Sequence, residues 1–210
     1  MKLKDKFILI VSLAGLTLTG CLEMELKVQP NHAAVGSTFS ATNEVVQTNN
    51  SGSRTMLYAV QKPEDWTINS VTFTSPQQGN GTLSYLGNGS DASLTESSGI
   101  DEGWEDSLTA NYPPAEGSHW AVYMSDAAAT SSASEESPDT FHVTVEYTVG
   151  NNEGNYNLEY WVSYDSNDNP TSAENTSHSA GPVTAYDPST SALVTFTLDD
   201  QTWLNEDIRF

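Results

Sequence analysis

Four histidines, His32, His119, His142 and His178, are the residues best suited to catalysis or metal binding. None of them lies at the spacing of a metal-ligand pair with another. The sequence also lacks the motifs of serine hydrolases, zinc proteases, phosphate-binding loops and dinucleotide-binding folds. Serine and acidic residues are so frequent that spacing singles out neither a Ser-His-Asp triad nor a carboxylate pair. We therefore predict a protein that is not an enzyme and that uses no cofactor or metal.

A polar run, Asp165-Ser166-Asn167-Asp168-Asn169, offers side-chain oxygens at alternate positions, as a Ca²⁺-binding loop does. Pro170 stands where such a loop needs glycine, and Thr176 stands where it needs a bidentate glutamate. A polar hairpin loop explains the run better, with calcium binding as the alternative.

The segment Tyr156–Tyr164 contains the clearest candidate for ligand binding. Its tyrosines share one face, whereas Trp161 faces the other way together with Asn157 and Glu159. An exposed indole beside an amide and a carboxylate suits a sugar, whose apolar face stacks on the ring while its hydroxyls bind the polar groups. The alternative is that this face is buried, either under the loop that follows or as the core side of the sheet.

A predicted short helix carries the second candidates for sugar binding, Trp104 and Tyr112. Asp101 is placed to cap a helix over Glu102–Ala110, and prolines 113 and 114 would end it. Trp104 and Leu108 would then lie on one face of this helix.

The N-terminus resembles the signal of a bacterial lipoprotein. Lysines at positions 2, 4 and 6 precede the apolar run Phe7–Leu16, which is too short for a membrane-spanning helix of ~20 residues. Leu18-Thr19-Gly20-Cys21 follows and resembles a lipobox. Cys21 is the only cysteine, so it has no partner within the chain for a disulfide. We predict cleavage before Cys21, lipidation of Cys21, and attachment to the membrane through that lipid alone.

The charge of the chain is strongly negative after the signal. Of 28 acidic residues only Asp5 precedes Cys21, and the mature part keeps four basic residues, which gives it a formal charge of −23. No Lys or Arg occurs between Lys62 and Arg209. Such a surface excludes nucleic acid, which needs a basic footprint, and disfavours polyanionic ligands. Fourteen Trp and Tyr residues argue for a packed core rather than a disordered acidic chain.

Alternating or β-branched segments predict nine or ten short strands. They are Leu22–Val28, Thr55–Gln61, Thr67–Thr74, Gly81–Leu86, His119–Ser125, Phe141–Val149, Tyr156–Tyr164, Val183–Ala185 and Ala192–Leu198. The pair Phe141–Val149 and Tyr156–Tyr164, joined by a six-residue loop, is expected to form an antiparallel hairpin. Trp66 and Trp120 each open an apolar strand and are expected in the core. Residues 127–139 and 165–181 are predicted loops. The pattern indicates an all-β, immunoglobulin-like β-sandwich of antiparallel strands with one short helix.

Several motifs together resemble a family of Bacteroidetes surface lipoproteins that are associated with starch-utilisation-type glycan uptake systems. They are Pro63-Glu64-Asp65-Trp66, Val71–Ser75, Trp104 in its short helix, His119–Asp126 and Val143–Ser163, and they span residues 25–165. Glu23 and Glu25, just after the cysteine, resemble the acidic tag that sends such lipoproteins to the cell surface.

The resemblance implies a cell-surface lipoprotein on the outer membrane that helps capture a neutral polysaccharide or oligosaccharide beside the components of an outer-membrane glycan transporter. The expected organisation is a signal peptide at 1–20, a lipidated tether at 21–24 and a β-sandwich with its C-terminal extension at 25–210. A further C-terminal domain is expected to be lacking. If glycan binding in such proteins resides in that distal domain, this chain is expected to serve only as a spacer. The alternative function is a structural or adhesive surface module, such as a pilus-type subunit.

Overall fold

The computed structural model describes residues 22–86, 103–164 and 176–190. Within these ranges the chain forms ten strands and one short helix. The elements are β1 (Leu22–Val28), β2 (His32–Ala34), β3 (Thr38–Gln47), β4 (Met56–Pro63), β5 (Thr67–Ser75), β6 (Gly79–Tyr85), α1 (Trp104–Asn111), β7 (Ser118–Ser125), β8 (Asp139–Thr148), β9 (Gly154–Tyr164) and β10 (Thr176–Tyr186). The predicted all-β class with one short helix is therefore confirmed.

The strands form one curled sheet in the order β1-β3-β8-β5-β6-β7-β4-β9-β10-β2. Its first layer is β1, β3, β8 and β5, its second layer is β7, β4, β9, β10 and β2, and the two layers face each other as a β-sandwich. The short β6 makes the corner, because its first half pairs with β5 and its second half pairs with β7. The named strands pair antiparallel except β2, which runs parallel to β10.

The predicted hairpin of Phe141–Val149 with Tyr156–Tyr164 is wrong. β8 pairs with β3 and β5 in the first layer, whereas β9 pairs with β4 and β10 in the second. Both strands turn their apolar faces toward one core from opposite sides, so the Tyr147 hydroxyl of β8 meets the Tyr160 hydroxyl of β9 at 3.3 Å across it. The intervening loop crosses between layers, and the Asp65 carboxylate holds it by accepting from the Asn152 backbone N–H.

The core between the layers contains hydrogen-bonded polar groups as well as apolar side chains. Tyr58, Tyr147 and Tyr160 are fully buried. The Asn43 amide donates to the Tyr58 hydroxyl at 2.7 Å, and the Tyr160 hydroxyl donates to Gln29 Oε1 at 2.7 Å. Burial raises the pKa of all three tyrosines well above its usual range. Each hydroxyl has a partner, which offsets the cost of removing it from water.

Several boundaries differ from the sequence predictions. Residues 22–24, expected in the tether, belong to β1, where the buried Leu22 pairs with Gln47. β10 begins at Thr176, so the predicted loop at 165–181 ends earlier than expected. β2 and the ten-residue β3 were not predicted at all. The predicted strand Ala192–Leu198 lies outside the described residues, as do Cys21 and the Asp165–Asn169 run.

Candidate functional site

Trp161 is buried, so its predicted role as an exposed sugar platform is wrong. Only 2% of the residue is accessible, because Trp161 belongs to a buried cluster with Trp104 and Leu108 of α1. The Trp104 ring of the helix packs against Trp161 with 5.4 Å between the ring centroids. The alternative reading, in which this face of the strand is a core, is the one the structure supports.

The helix-covered cluster is a second small core on the outer side of the second layer. It contains Leu57, Ala59, Leu86, Trp104, Leu108, Trp120, Val122 and Trp161. Trp104 and Leu108 lie on one face of α1, as predicted. Both are buried, and this burial contradicts the predicted role of Trp104 as a sugar platform. Trp66 and Trp120 are buried, as predicted. Because β4 packs against this cluster on one face and the main core on the other, all eight of its residues are buried.

Three predicted site residues remain accessible, but they do not form one site with an aromatic ring. Asn157 donates its amide to Glu159 Oε1 at 3.1 Å, and Glu159 Oε2 lies 3.4 Å from His178 Nε2. Tyr112, at the end of α1, is 40% exposed, and its carbonyl accepts from the Trp120 indole at 2.8 Å. The exposed polar groups of β9 therefore adjoin a buried tryptophan rather than an open one.

The β5–β7 cleft is an open site within the described residues. It lies between the first half of β5 and the first half of β7, with a volume of about 510 Å³. It exists because β6 is short: β6 pairs with β5 only at Thr72–Ser75 and with β7 only at Tyr123–Ser125. Beyond these pairs the two layers separate, and residues 67–71 of β5 face residues 119–123 of β7 across the gap.

Two tyrosines form the aromatic wall of the β5–β7 cleft. Tyr85 is 63% exposed, the most exposed large apolar residue in the described chain, and its ring meets that of Tyr123 edge to face at 5.5 Å. The Tyr85 hydroxyl donates to Glu105 Oε1 of α1 at 3.0 Å, and the same oxygen accepts from the Val122 backbone N–H at 3.3 Å. Burial and the Glu105 carboxylate raise the pKa of Tyr85, and burial raises that of Tyr123 to about 12.

The opposite end of the cleft contains Lys62, Trp66 and His119. Lys62 Nζ donates to the Trp66 carbonyl at 2.6 Å and to the Pro63 carbonyl at 3.2 Å, and burial lowers the pKa of this amine. Burial and the nearby positive charge of Lys62 lower the pKa of His119. The buried Trp66 indole N–H has no hydrogen-bond partner among the described residues.

A family model covers most of the chain, matching residues 16–184, and its description is "Domain of unknown function (DUF4961)". The chain belongs to the DUF4961 family. No curated protein matches it.

Similarity to solved structures is distant. The cohesin module of a Clostridium perfringens family 33 glycoside hydrolase is 14% identical, with a TM-score of 0.43 over 80% of this chain and 99% of that one. The Streptococcus suis adhesin Fhb, bound to the disaccharide receptor Gb2, is 13% identical, with a TM-score of 0.41 over 78% and 87%. AvmM, which catalyses macrocyclization in alchivemycin A biosynthesis, is 10% identical, with a TM-score of 0.46 over 83% and 93%.

Charges around the cleft of this DUF4961 chain favour a neutral occupant. Lys62 and His119 are the basic groups that line it, and Glu64, Asp65 and Glu105 act electrostatically on them. The lowered pKa of His119 favours its neutral form, so Lys62 is the cationic side chain of the cleft lining, with these carboxylates nearby. An anionic ligand would meet net repulsion there.

The described part of the DUF4961 chain contains no group of three or more His, Cys, Asp and Glu side chains that could hold a metal ion. None of its helices is long and apolar enough to cross a membrane. His142 lies 3.3 Å from Glu44 on the outer face of the first layer, away from the other histidines.

Sequence reasoning missed Tyr85 and Tyr123 as site residues. Both lie in predicted strands, but alternation places Tyr85 on the same face as the buried Leu83. The exposure of Tyr85 comes from the end of β6 and the separation of β5 from β7, which are tertiary features. The turn signals at Gly87-Asn88-Gly89 were the only local indication that β6 would stop where it does.

Proposed function

We propose that this protein is a cell-surface lipoprotein that captures a neutral glycan in the β5–β7 cleft, beside an outer-membrane glycan transporter. The observation that supports this most directly is the exposed Tyr85 ring against Tyr123 in a cleft of about 510 Å³. The predicted chemistry of sugar binding is unchanged, but the aromatic platform moves from Trp161 to Tyr85.

The composition of the cleft suits a sugar. The apolar face of a pyranose stacks on an accessible ring, and Tyr85 offers one whose orientation is fixed by its hydrogen bond to Glu105. Asn69 and Ser70 of β5 and His119 of β7 also line the cleft. They supply hydrogen-bonding groups for the sugar hydroxyls. We expect a Kd in the micromolar to millimolar range, which corresponds to about −8 to −4 kcal/mol. The affinity is limited because a flexible glycan loses conformational entropy when it is ordered on one or two rings.

The position of β1 determines how far the sheet would lie from a lipid anchor on Cys21. Because Leu22 already pairs with Gln47, a lipid on Cys21 would hold the sheet close to the membrane, with little tether between them. Glu23 and Glu25 remain exposed on β1, where an export tag would be read.

Replacing Cys21 with Ala should release the mature domain into a soluble fraction or leave the signal uncleaved. A Cys21→Ala protein that is processed and membrane-bound like wild type would refute the lipid anchor.

The glycan site is tested by affinity electrophoresis and calorimetry with neutral glucans, mannans and xylans beside alginate and sulfated polymers. Tyr85→Ala should reduce binding of a neutral glycan at least about tenfold, the equivalent of about 1.4 kcal/mol. Tyr112→Ala is the matched control, because Tyr112 is also an exposed tyrosine but lies at the end of α1, outside the cleft lining.

Equal losses with both variants, or binding restricted to the anionic polymers, would contradict this assignment of the site. A chain that binds none of the polymers would favour the alternative function, a structural or adhesive surface module.

A further inference from the structure

The β7 wall of the β5–β7 cleft changes in polarity along its length. His119, Ala121 and Tyr123 alternate along β7, and all three line the cleft. On the neighbouring strands, Lys62 of β4 pairs with His119, and Tyr85 of β6 pairs with Tyr123. The wall therefore has a polar end, an apolar middle and an aromatic end, over four residue steps or about 13 Å of extended strand.

The polar end contains hydrogen-bond donors that the described residues do not fully use. Lys62 Nζ carries three N–H groups, of which two donate to the Pro63 and Trp66 carbonyl oxygens at 3.2 and 2.6 Å. The buried Trp66 indole N–H has no acceptor among the described residues. The exposed His119 adds an imidazole, and its lowered pKa favours the neutral form, which keeps one N–H. This end therefore suits a ligand group that accepts hydrogen bonds, such as a carbonyl oxygen.

The middle of the cleft is lined by apolar side chains. Ala121 lies there with Val71 of β5 and Leu83 of β6, and all three are buried. These side chains have no polar atom to offer a sugar hydroxyl, whereas a methyl group placed against them would be removed from water, which is favourable. Ala121 follows His119 by two residues on the same face of β7, so the apolar patch begins beside the donors.

We propose that the β5–β7 cleft selects glycans that carry an N-acetyl group. The pyranose ring stacks on Tyr85, and the acetamido carbonyl accepts from Lys62 and His119. The acetamido methyl group packs against Ala121. One substituent thus meets both the donors and the apolar patch. This inference rests on the proposed glycan site and names the class of sugar that the site takes.

Other common substituents of sugars fit the cleft less well. A hydroxyl could accept a hydrogen bond from Lys62, but it has no methyl group to cover the apolar patch. A carboxylate could also accept, but it would add negative charge where Glu64, Asp65 and Glu105 already act on the basic pair. The acetamido group is neutral, and one buried methyl group with one additional hydrogen bond should favour it over a hydroxyl about tenfold.

Matched sugars that differ only at C2 test this preference. Calorimetry with the intact chain compares chitotetraose with cellotetraose, and chemical-shift titration compares N-acetylgalactosamine with galactose and N-acetylmannosamine with mannose. In at least one pair the N-acetylated sugar should bind about tenfold more tightly than its parent sugar. Glucuronic acid beside glucose provides the comparison for a carboxylate, and it should show no such gain.

Two variants test whether the preference arises in the cleft. Lys62→Met keeps the aliphatic stem but removes the ammonium, and Ala121→Val fills the space for the methyl group, so either should bring the tenfold ratio close to one. Lys27→Met is the matched control, because Lys27 lies on β1 and pairs with Glu44, and it should keep the ratio. Ala121→Val removes no polar group, so it remains informative if Lys62→Met does not fold.

The outcomes separate this inference from the proposed function. Neutral-glycan binding that is lost in Tyr85→Ala but is equal within every matched pair would overturn the N-acetyl preference alone. A preference that persists in both Lys62→Met and Ala121→Val, or a larger gain with glucuronic acid, would also overturn it. A chain that binds no neutral sugar would overturn both proposals.

Discussion

The helix-covered cluster and the β5–β7 cleft both place aromatic rings on the second layer, yet one is buried and the other is open. On β9, Trp161 is covered by α1, whose Trp104 packs against it. On β6, Tyr85 is 63% exposed. The two rings differ because another element of the fold packs over Trp161 and none of the described elements packs over Tyr85 to the same extent. The alternation of residue types along a strand does not predict this difference.

One residue connects the two regions. Glu105 extends from α1, whose other face covers the tryptophans, and its Oε1 accepts from both the Tyr85 hydroxyl and the Val122 backbone. The helix that buries the first aromatic cluster therefore also orients the exposed ring of the second. The two regions should respond to substitution in opposite ways, with stability lost in the cluster and binding lost in the cleft.

The largest difference is expected between Trp161→Ala and Tyr85→Ala. Removing the buried indole should lower the free energy of unfolding by about 3–5 kcal/mol, because it leaves a cavity under α1. Removing the exposed ring should cost about 0.5 kcal/mol, as surface substitutions do. Urea denaturation followed by circular dichroism measures both. Similar losses for the two variants would show that the cleft is as closed as the cluster.

Alkaline pH should weaken the main core and the cleft rather than the helix-covered cluster. The pKa of Tyr58, Tyr147, Tyr160 and Tyr123 is higher in the folded protein than the ordinary value of 10. Their protonation therefore stabilises the fold fully below pH 10, and this contribution is lost as the pH rises through the folded values. Unfolding free energy measured from pH 8 to 12 should fall above pH 10.

Two variants separate the regions in that pH series. Tyr123→Phe should reduce the slope between pH 10 and 12 by at most about 1.4 kcal/mol per pH unit, the limit for one proton. Trp161→Phe should lower stability equally at each pH and keep the slope. A Tyr123→Phe curve parallel to wild type would contradict the burial that raises this pKa.

Glu105→Ala should affect both regions at once by a smaller amount. Loss of a partly exposed carboxylate that accepts two hydrogen bonds should cost about 1 kcal/mol of stability. Without its hydrogen bond, Tyr85 should titrate at lower pH, measured by the tyrosinate absorbance at 295 nm in the variant and in wild type. Glu116→Ala is the control, since Glu116 is an exposed acid before β7. If the pKa of Tyr85 were the same in Glu105→Ala as in wild type, α1 would have no influence on the tyrosine of the cleft.

The smallest expected effect is that of salt. Raising NaCl from low to seawater strength should increase the melting temperature by about 2–4 °C, because screening relieves the repulsion within residues 21–210, whose formal charge is −23. The same increase should appear in Trp161→Phe and Tyr85→Ala, since the charge is spread over the surface. A flat curve would show that the carboxylates are too far apart to repel one another.

Strand positions could be predicted where alternation was strict, as in β1, β8 and β9, because the period of two reflects one buried face. β3 was missed, since its pattern includes buried Asn43 and Gln47, whose side chains are paired inside the protein. Partners of strands were not predictable. The matched alternation of β8 and β9 reflects a shared core, and the same pattern would arise whether they paired or faced each other.

Sugar binding at the site stays a prediction, and the position of the exposed aromatic ring could not be predicted from the sequence. Trp161 has the neighbours that a sugar platform needs, Asn157 and Glu159, and the helix that buries it is distant in sequence. The shared face of Trp104 and Leu108 followed from their four-residue spacing, a local property of a helix. The cleft depends on where β6 ends relative to two strands that it joins, which no single segment specifies.

The division of β8 and β9 between two layers has a consequence for folding kinetics. Without a hairpin between them, β8 must find β3, so that Thr42 meets Thr144, 102 residues away. Native contacts of such long range require the closure of a large loop, and the chain loses this conformational entropy before the contacts stabilise it. Sheets dominated by such contacts therefore fold in milliseconds to seconds. The sheet cannot be completed while the chain is still emerging from the ribosome, because β8 and β9 must be present first. This delay suits the proposed export signal, since a chain that folds slowly stays unfolded and competent for transport through a narrow channel.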